Sequence, residues 1–188
     1  MKSITPFLEH AQKRCGDYGV SLVLVPRRTT KFGDYGEFDD EKKRVVVCVN
    51  DPGWLTTLAH ELGHMDQWVE NSPEWQAVCG VGADAYDEFD AWYTKGQKLS
   101  PRALLSLIRR IQRCELDAER RALRTIRAFG LADPKAYAQV ANFHVWQYEA
   151  ARRFSRWVAA PDTYSAEIPD RLMRISSVGK LPAGYGLG

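Results

Sequence analysis

The stretch PRALLSLIRRIQRCELDAERRALRTIRAF, residues 101–129, keeps one helical period from end to end. At roughly 100° per residue, Leu104, Ile108, Ile111, Ala118, Ala122 and Ile126 fall on one stripe. Arginines 102, 109, 110, 113, 120, 121, 124 and 127 fall on the opposite face. Ser100-Pro101 places a polar cap before a proline at the first helical position, and Gly130 closes the run, so one long amphipathic helix is predicted. Glu115 breaks the pattern. It lands in the middle of the apolar stripe, with Glu119 beside it one turn later. A carboxylate withdrawn from water is costly unless it is paired or bound to metal. Glu115 therefore meets an arginine from another element, lies on a helix edge more exposed than the pattern implies, or ligates a cation.

The same start signal recurs at Asp51-Pro52 and Asp133-Pro134. The first opens a helix expected to reach about Glu70, and this helix contains TTLAHELGHMDQW, residues 56–68. His60 and His64 stand one turn apart, on one face and within reach of a single ion. Leu55, Leu58, Ala59 and Leu62 form the buried stripe, so the histidines project from a different side, as on a helix that walls a cleft. Gly63 costs up to about 1 kcal/mol relative to alanine in mid-helix, and its expected use is the close approach of another backbone. Zinc accepts imidazole nitrogen and carboxylate oxygen, and a catalytic zinc keeps three protein ligands and a water. His60, His64 and Glu115 complete that set, and ligation becomes the better account of Glu115. Glu119 is placed to accept the remaining N–H of a ligand histidine. Asp117 falls on the arginine face and ranks below Glu115.

The other segments are shorter. Residues 4–15 read as a first helix ended near Gly16 and Gly19, and VSLVLV, 20–25, as a strand closed by Pro26. YGEF, 35–38, and RVVVCV, 44–49, flank DDEKK as a hairpin whose first strand is short and polar, as edge strands often are. Residues 71–99 are the least legible part, with a short helix at 84–93. Asp133-Pro134 opens a fourth long helix to about Val158. The fold class is α+β with helix in excess. A single domain is expected over 1–160, with a small antiparallel sheet of about three strands before the histidine helix and two long helices after it. Residues 161–188, rich in Pro, Gly and Ser, form an irregular tail packed on that domain or extending from it.

Composition sets limits. A chain of 188 residues and 21.4 kDa suits one compact domain, and a net charge of +2 gives no ground for a nucleic-acid or membrane partner. From Asp66 to Asp90 there are seven acids and no Lys or Arg, whereas Arg102 to Arg127 holds eight arginines against three acids. Both blocks read as solvated faces. No apolar run reaches the roughly 18 residues of a membrane span, and the first residues lack a signal-peptide core. Cys15, Cys48, Cys79 and Cys114 form no CxxC pair, so reduced thiols and a cytoplasmic protein are expected. His10 reads as a surface residue.

HELGH resembles the HExxH motif of the zincin metallopeptidases. Together with ELDAE, an ExxxE on a separate helix, it resembles the gluzincin arrangement. In so short a chain it is similar to small proteins of the ImmA/IrrE type and to compact phage-encoded zincin-like proteins, over about residues 20–130. The resemblance implies His60, His64 and Glu115 as Zn2+ ligands, Glu61 as general base and Glu119 as partner of a ligand histidine. Two departures stand out. The family pattern has Asp or Asn where this chain has Glu119, and Gln67 and Glu70 occupy the positions of the metzincin glycine and third histidine.

What the resemblance implies is a zinc metalloendopeptidase. A zinc-bound water would lose its proton to Glu61, which passes it to the leaving amine. The edge strand near Gly36–Phe38 would pair with an extended peptide or protein substrate. An oxyanion donor is expected from the fourth long helix, where Tyr137, His144 and Tyr148 share one flank, His144 being the first choice and Tyr148 the second. Three rivals remain. One is a non-catalytic zincin-like module, for instance in a phage particle, against which Glu61 argues. Another is a DNA-associated protease of the SprT kind, supported only by the arginine face. The last is a self-inhibited enzyme whose tail acids Asp162, Glu167 and Asp170 reach the cleft.

Overall fold

β-branched residues concentrate in RVVVC, and this segment becomes the centre of the sheet. In the computed structural model, which describes residues 3–31, 33–80 and 84–157, β3 (Arg44–Cys48) lies between β1 (Ser21–Val25) and β2 (Gly36–Asp39). Val45 and Val47 of β3 are fully buried, whereas Val23 and Leu24 of β1 are exposed. β2 runs antiparallel to β3, with Glu37 opposite Val46, as the hairpin predicts. β1 runs parallel to β3, with Val23 opposite Val46, so the sheet is mixed rather than antiparallel. The correction follows from strand order. An up-down-up path makes first and third strands parallel, and here the third inserts between the other two instead of adding to the edge.

The described residues form six helices, in chain order α1 (Thr5–Asp17), α2 (Trp54–Val69), α3 (Pro73–Cys79), α4 (Ala85–Tyr93), α5 (Pro101–Phe129) and α6 (Pro134–Phe154). The class is α+β and helix-rich, as expected. Ser100 accepts the Ala103 N–H at 3.2 Å to start α5, and Gly130, at φ +66°, donates to the Ile126 carbonyl to end it. α2 begins later than Asp51-Pro52 predicts. The Asp51 carboxylate accepts the Gly53 N–H at 2.7 Å and so caps a turn that precedes the helix. Asp84 caps α4 through the N–H groups of Tyr86 and Asp87.

The chain sorts into two compact units. Of the described residues, the first takes those up to Ser72 together with Ala118–Asp133; the second takes those of Pro73–Asp117 together with those from Pro134 to Trp157. α5 is one continuous helix that contributes to both. In the first unit Leu58, Ala59, Leu62 and Met65 of α2 and Ala118, Ala122 and Ile126 of α5 are buried. The Phe7 and His10 rings of α1 lie 5.4 and 5.0 Å from that of Phe129, so His10 is half-buried rather than a surface group. Gly63 meets α5 closely: a Cβ there would stand 2.7 Å from the Ala118 carbonyl oxygen. In the second unit Ile108 and Ile111 of α5 are fully buried, and Gln112 donates to the Val145 carbonyl of α6 at 2.9 Å. The tail expected over 161–188, with Asp162, Glu167 and Asp170, lies outside the described residues. Among those that are described, no helix is long and apolar enough to cross a membrane.

Candidate metal centre

One turn of α2 separates His60 from His64, and their Nε2 atoms stand 3.1 Å apart, the rings nearly perpendicular. Their Nδ1 atoms turn outward to oxygens. His64 Nδ1 is 2.9 Å from Gln67 Oε1, and His60 Nδ1 is 3.4 Å from Glu119 Oε1. A carboxylate or amide oxygen only accepts, and in the tautomer with both protons on Nδ1 each Nε2 presents a lone pair. In that tautomer the two lone pairs, 3.1 Å apart, repel. A cation held by both removes the conflict. Nitrogens about 2.05 Å from a tetrahedral zinc stand about 3.3 Å apart, close to the observed separation.

A third donor is at hand. One ligand atom each from His60, His64 and Glu115 lie within 4.8 Å of one another. Glu115 precedes Glu119 by one turn on α5, so the helix that carries the partner of His60 also carries the carboxylate. Two imidazoles and a carboxylate form a donor set that suits zinc. Asp117, on the same helix, is not in the group.

Three carboxylates serve this neighbourhood at different depths. Glu119 is 3% exposed, Glu61 is 7% exposed and Glu115 is half-buried. Glu61 lies beneath the edge strand. A Cβ on Gly36 would come within 3.1 Å of Glu61 Cγ and 2.7 Å of Thr57 Cγ2. Only a glycine lets β2 pass this close to α2. In the ladder, Cys48 N–H bonds to the Tyr35 carbonyl, and alternation turns the peptide groups of Gly36 away from β3.

Of the three candidates on α6, Tyr148 reaches the centre: its hydroxyl donates to Glu115 Oε1 at 3.3 Å. His144 is exposed, with its ring 6.3 Å from that of Phe143, and Tyr137 is half-buried. Helical spacing puts the three on one flank but does not tell which turn faces the carboxylate. Two residues escaped the sequence reading. Gln67, fully buried, holds His64, and its position three residues after the ligand on the same helix was a usable signal. Tyr86 of α4 donates to Glu115 Oε1 at 2.7 Å, and no local pattern joins it to residue 115. Burial, and then the neighbouring Glu115 carboxylate, raise the Tyr86 phenol well above its ordinary range, so it remains a donor.

The charged blocks are partly joined to each other. Arg121 pairs with Glu70 at 2.8 Å in the first unit, and Arg110 with Glu88 at 3.0 Å in the second. These arginines are therefore engaged with the acidic block and are not simply solvated. Comparison with protein-family models, with curated proteins and with solved structures finds no match to this chain.

Proposed function

We propose that the chain is a zinc-dependent peptide hydrolase, with His60, His64 and Glu115 as the metal ligands. The observation that carries the reading is the pair of Nε2 atoms converging at 3.1 Å, with a carboxylate in reach and His64 Nδ1 held by Gln67. A bound zinc supplies Lewis acidity, bringing the pKa of a water toward neutrality and polarising a carbonyl. Glu61 follows His60 directly on α2 and acts as general base, taking a proton from the attacking water and returning it to the leaving amine.

Selection of an extended peptide falls to β2. Its outer edge runs over Glu61 at Gly36, so a chain paired there as an added strand brings a peptide carbonyl to the base. Backbone pairing of this kind reads little of the side chains. Tyr148 supplies the oxyanion donor: its 3.3 Å bond to Glu115 is long, and the hydroxyl is able to turn toward a developing negative charge. His144, exposed on α6, is dropped from that role. Pairing of Arg110 and Arg121 with acids leaves the DNA-associated reading with less support than the charge count gave it.

The test separates metal from catalysis. Wild-type protein should purify with one zinc per chain and cleave an unstructured polypeptide, and Glu115→Ala should lose the metal. Glu61→Gln should retain zinc and lose at least about 100-fold in rate, the scale of a lost general base. A Glu61→Gln protein as active as wild type would remove the catalytic assignment; a zinc-loaded wild type with no activity on any unfolded chain would favour a binding module.

A further inference from the structure

Two phenols meet on a single oxygen of Glu115. Tyr86 donates to Oε1 from α4 at 2.7 Å, and Tyr148 donates to the same atom from α6 at 3.3 Å. An ionised carboxylate offers about two lone-pair directions on each oxygen. A short phenolic hydrogen bond engages one of those on Oε1 and draws its electron density away from any cation. Tyr86 is also the better anchored of the two. It sits in the first turn of α4, where Asp84 Oδ1 accepts its own backbone N–H at 3.0 Å. The Tyr148 ring leans on Phe89 and Trp157, each with centroids 5.3 Å away, and Trp157 is 43% exposed. Tyr86 is thus tied at both ends, by its hydroxyl and by its backbone N–H.

We propose that Tyr86 is a positioning residue of the metal centre: by occupying Oε1 it makes Glu115 a one-oxygen ligand. The inference rests on the reading of His60, His64 and Glu115 as metal ligands. Its consequence is coordination number. A carboxylate that binds through both oxygens fills the shell, whereas a single-oxygen ligand keeps a position open for water and then for a substrate carbonyl. Tyr86, whose bond to Oε1 is the shorter of the two, imposes this restriction without Tyr148.

The experiment compares wild type, Tyr86→Phe and Tyr148→Phe as full-length proteins. Zinc affinity is measured by competition with a chromophoric chelator, and coordination by the visible spectrum of the cobalt(II)-substituted proteins. Wild type should show the intense bands of four-coordinate cobalt. Tyr86→Phe should bind zinc about 10- to 100-fold more weakly, as loss of an outer partner does, and its cobalt bands should fall in intensity as the second oxygen enters the shell. Tyr148→Phe should keep the wild-type spectrum. A purely structural Tyr86 would lower the melting temperature of the metal-free protein and leave the cobalt spectrum unchanged; that result overturns the positioning role and leaves the metal centre standing. Wild-type protein that takes up neither zinc nor cobalt overturns the metal-centre reading itself, and the inference with it.

Discussion

Glu149 is a buried carboxylate held by ion pairs. It is 1% exposed, and Arg152 and Arg153 hold its carboxylate at 2.6–2.8 Å. Burial alone would raise this acid, but the two guanidinium groups overcome burial and hold it below its ordinary range. Glu115 instead takes hydrogen bonds from two phenols, which add no positive charge. A folded-state pKa below the unfolded one contributes stability above the unfolded value, near 4.5, and loses it as pH falls through the folded value. Glu149→Gln should therefore cost about 1.5–3 kcal/mol at pH 7, the range for hydrogen bonds to charged groups. The gap should narrow as pH falls below the ordinary value and close once the lowered folded-state pKa is passed, where the wild-type carboxylate is protonated as well. Urea midpoints of both proteins followed down in pH check it; a gap that does not narrow on acidification would show that packing, not charge, holds Glu149. The histidines and Glu115 were legible at this scale because helical period alone placed them against an apolar pattern. Tyr86 was not, because its contact with residue 115 exists only after two helices meet.

At the scale of elements, helices with a cap and a proline read well and the connections between them less so. Ser100-Pro101 and Gly130 bounded α5 correctly, and the buried Ile108, Ile111, Ala118, Ala122 and Ile126 follow the stripe, with Leu104 only half-buried. Ser72-Pro73 carried the same signal for α3, but seven residues are too few for a period to emerge. Strand direction was misread because a hydrophobic run states that a strand exists and not which neighbour it takes. Gly63 is the clearest case of an element contact written into one residue. Alanine would gain up to about 1 kcal/mol of helix propensity, yet its methyl would stand 2.7 Å from the Ala118 carbonyl oxygen and 3.3 Å from its Cα. Backbone cannot swing aside as a side-chain tip does, and overpacking costs about 1–3 kcal/mol. Gly63→Ala should thus be destabilised by about 1–2 kcal/mol in chemical denaturation. It should also bind zinc more weakly, because the displaced turn of α5 carries Glu119. A variant as stable as wild type would mean that α5 yields freely at this point.

For the whole molecule the decisive quantity is the coupling of metal to folding. The proposed ligands come from α2 and α5, with α3 and α4 between them in the chain. An unfolded chain keeps only the His60–His64 pair close, so it binds zinc far less well than the folded one. A ligand taken up by the native state alone stabilises it by RT ln(1 + [L]/Kd), about 2.7 kcal/mol when free zinc is 100 times Kd. In a chain of this length that corresponds to roughly 5–10 °C in melting temperature. The three buried thiols, Cys15, Cys48 and Cys114, offer little competition, and burial pushes that of Cys15 up to about 11, far from the thiolate that metals require. Wild-type protein should melt roughly 5–10 °C higher with zinc and return to its starting value on chelation, while Glu115→Ala should shift by a small fraction of that. An equal shift in both proteins would locate the stabilising metal away from α5. A wild type that melts at one temperature with and without zinc would leave the 3.1 Å approach of the two imidazoles with no cation to account for it.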